Sequence, residues 1–156
     1  MGLTLPLPSR EPRAARILII DDEPGICRLF AEWACSLGHT ARVAQDAEIA
    51  LRMLREEPAD VALCDIRMPG RDGLWLIDEL RRTHPTTAIV IATGIEDLHP
   101  TTTLRPGIVG YLVKPFRRSE LERAIDHALL PNSPWMRNLD GGRSAREIPE
   151  LEASLA

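Results

Sequence analysis

Apolar residues in this chain gather either in short unbroken runs or at helical intervals, and the two patterns alternate. Ile17-Leu18-Ile19-Ile20, Val61 to Cys64, Ala88 to Ala92 and Tyr111-Leu112-Val113 are unbroken runs bounded by turn formers or polar residues, which reads as buried strands over 16–20, 60–64, 88–92 and 111–113. Thr40 to Ala44 is a short fifth candidate. Between them, Ile26, Leu29, Phe30, Trp33 and Leu37 recur at helical spacing, with Pro24 suited to the first turn and Gly38 as the stop. Asp46 can cap a second helix whose inward face is Ala47, Ala50, Leu51 and Leu54 and which Pro58 closes. A third helix, about 73–83, carries Leu74, Ile77 and Leu80. A last one begins at a capping box of Ser119 and Glu122, turns Leu121, Ile125, Ala128 and Leu129 inward and runs to about Leu130.

Strands that alternate with helices form βαβ units, and right-handed crossovers place those helices on both faces of a parallel sheet. The expected class is therefore α/β, a doubly wound five-stranded parallel sheet over 16–130. A flexible Pro-containing arm at 1–15 precedes it, and a tail at 131–156 with no independent domain follows. Segment 95–106 breaks the alternation. It holds Pro100, Pro106 and three consecutive threonines where a helix is due, so the fourth helix in order is expected to be irregular, about a turn and a half at most, and to switch between order and disorder.

Composition narrows the class further. With 156 residues, 44% hydrophobic and 27% charged, the chain can bury a real core, and a net charge of −4 gives no basic footprint for nucleic acid. The cysteines Cys27, Cys35 and Cys64 are odd in number, and the first two would sit about 12 Å apart along one helix, too far to pair. No secretory h-region and no membrane-length apolar run is present, so a reduced, cytoplasmic protein is expected, without membrane partners.

The chemistry lies where the strands stop. The runs end on Asp21 and Asp22, on Asp65, on Thr93 and on Lys114, and the carboxyl ends of parallel strands form the ligand crevice of an α/β sheet. Three carboxylates placed together repel, and one would hold a proton unless a cation intervened. A hard divalent ion held by few carboxylates and several waters suits Mg2+, with coordination positions left for a phosphate. Lys114 is the only lysine among 19 cationic residues, and its compact charge suits a single phosphoryl oxygen. Thr93 can donate to another. A salt-bridged strand rim is the plainer alternative, weakened because four strand ends coincide. The histidines His39, His84, His99 and His127 lack metal-ligand spacing.

At these residues the chain resembles the receiver domains of bacterial two-component response regulators. Asp21-Asp22-Glu23-Pro24 is similar to the family's acidic pair, Asp65-Ile66-Arg67-Met68-Pro69-Gly70-Arg71-Asp72-Gly73 to its phosphoacceptor loop, Thr93-Gly94 to its switch hydroxyl, and Tyr111-Leu112-Val113-Lys114-Pro115-Phe116 to its switch aromatic and lysine. The resemblance implies a flavodoxin-like sheet of order 2-1-3-4-5. It implies phosphorylation of Asp65 by a sensor histidine kinase or histidine phosphotransfer protein. Mg2+ would be held by Asp22, Asp65 and the carbonyl of Arg67, with Asp21 acting through water. Catalysis would involve Asp65, Lys114 and Thr93, switching would involve Thr93 and Tyr111, and Lys114-Pro115 would be a cis bond. A downstream protein, or a second copy in a homodimer, would read the change. A phosphorelay intermediate is the close variant.

Two other classes fit less well. An aspartate-nucleophile phosphohydrolase resembling the dehalogenase type would want a second acid two residues after the nucleophile, where Arg67 stands. A DNA-binding regulator would need more than the 26 residues after Leu130, which carry no basic excess, so direct nucleic-acid contact is not expected.

Overall fold

In the computed structural model, described here for residues 14–94, 96 and 107–130, five strands and four helices alternate: β1 (Arg16–Ile20), α1 (Pro24–Ser36), β2 (Thr40–Ala44), α2 (Ala47–Glu56), β3 (Val61–Cys64), α3 (Gly73–Thr83), β4 (Ala88–Thr93), β5 (Ile108–Val113) and α4 (Arg118–Ala128). All strand pairs are parallel and the order is β2-β1-β3-β4-β5, as the β-α alternation and the family resemblance predict. The expectations for the arm before residue 14, for the irregular helix within 95–106 and for the tail after 130 lie outside the described residues, Glu96 apart. Ala15, expected in the arm, is buried, and its N–H donates to His39 Nδ1 at 3.1 Å.

Each face of the sheet has its own core. Leu18, Ile20, Ala62, Cys64, Ile89 and Ile91 meet α2 and α3 on one side. Ile17, Ile19, Val61, Leu63, Val90 and Leu112 meet α1 and α4 on the other. Consecutive strand residues therefore serve opposite cores, which is why the runs are apolar throughout rather than alternating. No helix among the described residues is long and apolar enough to cross a membrane.

The helices obey their local signals with three corrections. Asp46 caps α2, its Oδ1 accepting the Ile49 N–H at 2.7 Å, and all four expected inward residues are buried. In α1, however, the buried residues are Cys27, Phe30 and Ala34, and Leu29 is 38% exposed. The apolar stripe is wider than the contact, and the small Cys27 and Ala34 are among its most buried members. In α3, Leu76 joins Ile77 and Leu80 in the core while Leu74 is half-buried, because Gly73 turns its backbone toward the β3 loop. The capping box at the start of α4 is not Ser119 with Glu122. Glu120 reaches back to the Arg117 N–H at 2.6 Å, so the helix begins at Arg118 and Ser119 stands inside its first turn. Lys114-Pro115 is cis.

Candidate functional site

Register assembles the site. Ile20 pairs with Cys64, and Cys64 with Ile91, so Asp21 and Asp65 leave adjacent strands side by side and Thr93 lies one residue beyond their level. Thr93 pairs in turn with Val113, and Lys114 follows, its N–H donating to the Thr93 carbonyl at 2.8 Å. All the side chains expected at the strand ends thus share one edge of the sheet.

Carboxylate oxygens of Asp21, Asp22 and Asp65 lie within 4.8 Å of one another. Asp21 and Asp65 are buried, and Asp22 stands toward solvent at the rim. Asp65 Oδ1 accepts the Thr93 hydroxyl at 3.0 Å and the Arg67 N–H at 3.3 Å. The Lys114 ammonium donates to Asp21 Oδ2 at 2.5 Å and lies 3.5 Å from Asp65 Oδ2. Asp21 Oδ1 accepts the Glu23 N–H at 3.0 Å.

Electrostatics follow from this crowding. Burial raises the pKa of Asp65 above its ordinary value, and the Asp21 charge adds to the rise, while Lys114 and the bonds from Thr93 and Arg67 oppose it. Burial by itself would lower the Lys114 pKa, but the bond to Asp21 and the charges of Asp65 and Asp21 outweigh it, so the ammonium holds its proton more tightly than usual. Three carboxylates face one ammonium. An all-oxygen donor set with an excess of negative charge is what a hard divalent cation satisfies, so the cluster can hold a metal.

Three further residues support the site from around it, and of these Cys27 had no sequence signal. Cys27 Sγ donates to the Asp21 carbonyl at 3.2 Å, and burial followed by the Asp21 charge keeps that thiol protonated. Phe116, two residues past Lys114, stacks on Phe30 at 4.6 Å and meets Trp33 edge-on at 6.2 Å, anchoring the chain beyond the ammonium. Gly73, the last residue of the Asp65–Gly73 stretch and the first of α3, donates its N–H to the Ile66 carbonyl at 2.9 Å. Tyr111 is half-buried against the α2/α3 core, and burial raises its pKa.

The response regulator receiver domain profile matches residues 17–126. The transcriptional regulatory protein CpxR of Klebsiella pneumoniae is 35% identical over 138 residues, covering 88% of this chain and 59% of CpxR. GlrR of Escherichia coli is 31% identical over 125 residues, covering 78% of this chain and 28% of GlrR, so the chain spans less than two thirds of each of these curated relatives. A response regulator receiver domain protein from Clostridium thermocellum superposes with a TM-score of 0.69 at 30% identity, covering 74% of this chain and 94% of that one. TrrA of Thermotoga maritima, solved in complex with Mg2+-BeF, gives 0.67 at 30% identity over 73% of this chain and 98% of TrrA.

Proposed function

This chain belongs to the response regulator receiver domain family, and on that footing we propose that it is a phospho-accepting signalling switch whose phosphoacceptor is Asp65. One observation carries the reading. The carboxylate of Asp65 is buried at a strand end between a hydroxyl donor, an ammonium and a second buried acid.

The donor is a phosphohistidine on a sensor histidine kinase or histidine phosphotransfer protein, or a small acyl phosphate. An Asp65 carboxylate oxygen forms a bond to phosphorus as the P–N or P–O bond of the donor breaks. The departing electron pair stays on the imidazole nitrogen, which takes up a proton, or on the released carboxylate. Asp22, Asp65 and the Arg67 carbonyl would hold Mg2+, with Asp21 acting through water. When bound, the ion neutralises charge on the transferring group.

The rest is done by the chain's own side chains. Lys114, already within 3.5 Å of Asp65, turns from Asp21 to a phosphoryl oxygen. Thr93 exchanges its bond to Asp65 Oδ1 for one to the new phosphoryl group. Tyr111, half-buried on β5, turns inward in response, so a local charge change biases a two-state surface. A downstream protein or a second copy of the chain reads that surface.

The test is intact mass after incubation with Mg2+ and acetyl phosphate or phosphoramidate. The wild type gains one phosphoryl group and Asp65→Ala gains none; an adduct that persists in Asp65→Ala removes the assignment.

A further inference from the structure

The backbone of Asp65 is in contact with α3 as well as with the strand that carries it. A Cβ built on Gly73 would stand 2.2 Å from the Asp65 carbonyl oxygen, 2.7 Å from Ile66 Cα and 3.0 Å from the Asp65 carbonyl carbon. These are backbone atoms, so no side-chain rotation relieves the overlap. Gly73 also donates its N–H to the Ile66 carbonyl at 2.9 Å, and Asp72 caps the same turn by accepting the Trp75 N–H at 3.0 Å. The first turn of α3 is thereby pressed onto the peptide units that follow the phosphoacceptor.

We infer that Gly73 is a positioning residue for phosphoryl transfer, its missing side chain letting α3 hold the Asp65–Arg67 loop where the carboxylate of Asp65 can react. The inference rests on the proposed role of Asp65. Its logic is one of stiffness. The helix cannot back away without opening a void, because Leu76, Ile77 and Leu80 behind Gly73 are wholly buried. The displacement therefore falls on residues 65–67. There the Arg67 N–H and the Thr93 hydroxyl both aim at Asp65 Oδ1, at 3.3 and 3.0 Å. A turn of the 65–66 peptide moves the carboxylate and the Arg67 carbonyl together. Misplacement by about 1 Å can cost on the order of 100-fold in rate.

The contrast with Gly25 isolates the effect. Gly25 lies in the first turn of α1, and a Cβ built there meets nothing within 4 Å. Gly73→Ala is compared with Gly25→Ala and with Ile125→Val, a core truncation in α4 on the other face of the sheet that lowers the melting temperature without touching α3 or the loop. Phosphorylation by acetyl phosphate is followed by intact mass, and Mg2+ binding by tryptophan fluorescence.

The expected result is at least a tenfold slower phosphorylation and weaker Mg2+ binding in Gly73→Ala, with both unchanged within about twofold in the two controls. A Gly73→Ala protein that folds and reacts at the wild-type rate overturns the inference, as does an equal loss in an Ile125→Val protein. If Gly73→Ala does not fold, Asp72→Ala, which loosens the same turn, is measured instead. About threefold slower transfer is then expected, and an unchanged rate overturns the inference. The two readings fail differently: a wild type that takes up no phosphoryl group at Asp65 defeats the proposed function, whereas wild-type uptake with an unaffected Gly73→Ala defeats the positioning role alone.

Discussion

Lys114 and Asp21 form a hydrogen-bonded ion pair of 2.5 Å although two strands, β3 and β4, separate the strands that carry them. The lysine reaches past Asp65, 3.5 Å away, to the more deeply buried acid. The pair spans 93 residues of sequence and joins the two ends of the receiver. Its side chains are 21% and 4% exposed, so the partner left behind by a deletion would keep an uncompensated charge away from water.

Lys114→Ala should therefore lower stability by about 3 kcal/mol in EDTA, and by less in Mg2+, because the cation takes over part of the neutralisation. Metal binding should persist while phosphoryl transfer falls. Thermal melts with and without Mg2+ measure the first effect and acetyl phosphate labelling the second. Equal melting losses in the two buffers would show that the ion does not share the charge.

Asp22→Ala should weaken Mg2+ binding by more than about tenfold, with little change in the melting temperature of the metal-free protein. Asp22 is not among the buried residues, so its removal would take away a proposed metal ligand rather than a piece of the core. Fluorescence titration with Mg2+ beside a thermal melt separates the two.

The raised pKa of Asp65 makes a pH prediction for the metal-free protein. The folded state binds this proton more tightly than the unfolded chain, whose carboxyl has the ordinary value of 3.8. In the window between 3.8 and the raised value the folded state holds the extra proton, so this contribution to stability is present at low pH and is lost as pH rises through the folded value. Asp65→Asn, permanently uncharged, should remove that slope and raise the neutral-pH melting temperature by about 2–4 °C per kcal/mol recovered. Urea midpoints of both proteins from pH 4 to 8 decide it, and parallel profiles would contradict the prediction.

Phe116→Ala should cost about 3 kcal/mol, since the ring is 8% exposed and stacked on Phe30. Phosphorylation should slow as well, because the chain just beyond Lys114 loses its anchor; Phe116→Leu should recover most of both. Chemical denaturation and labelling rates are the measurements.

Local sequence alone determined the element order, most helix and strand bounds and the identity of the residues at the strand ends. Period, caps and breakers act within a few residues of one another, as at Asp46 and Ile49 or at Pro24. The unbroken run Val61 to Cys64 ending on Asp65 could be read the same way, because a strand buried on both faces needs apolar residues at every position. Tertiary structure decided the rest. Cys27 and Ala34 are buried against the sheet while Leu29 is exposed, because which part of a wide apolar stripe is covered depends on how the helix lies across its strands. The choice of Asp21 over Asp65 as the partner of Lys114, and the contact of Gly73 with the Asp65 carbonyl, depend on strand order and on helix-to-sheet distance. The Lys114–Asp21 pair joins segments far apart in the chain, and the shorter step from Asp65 to Gly73 closes only once α3 is packed on the sheet.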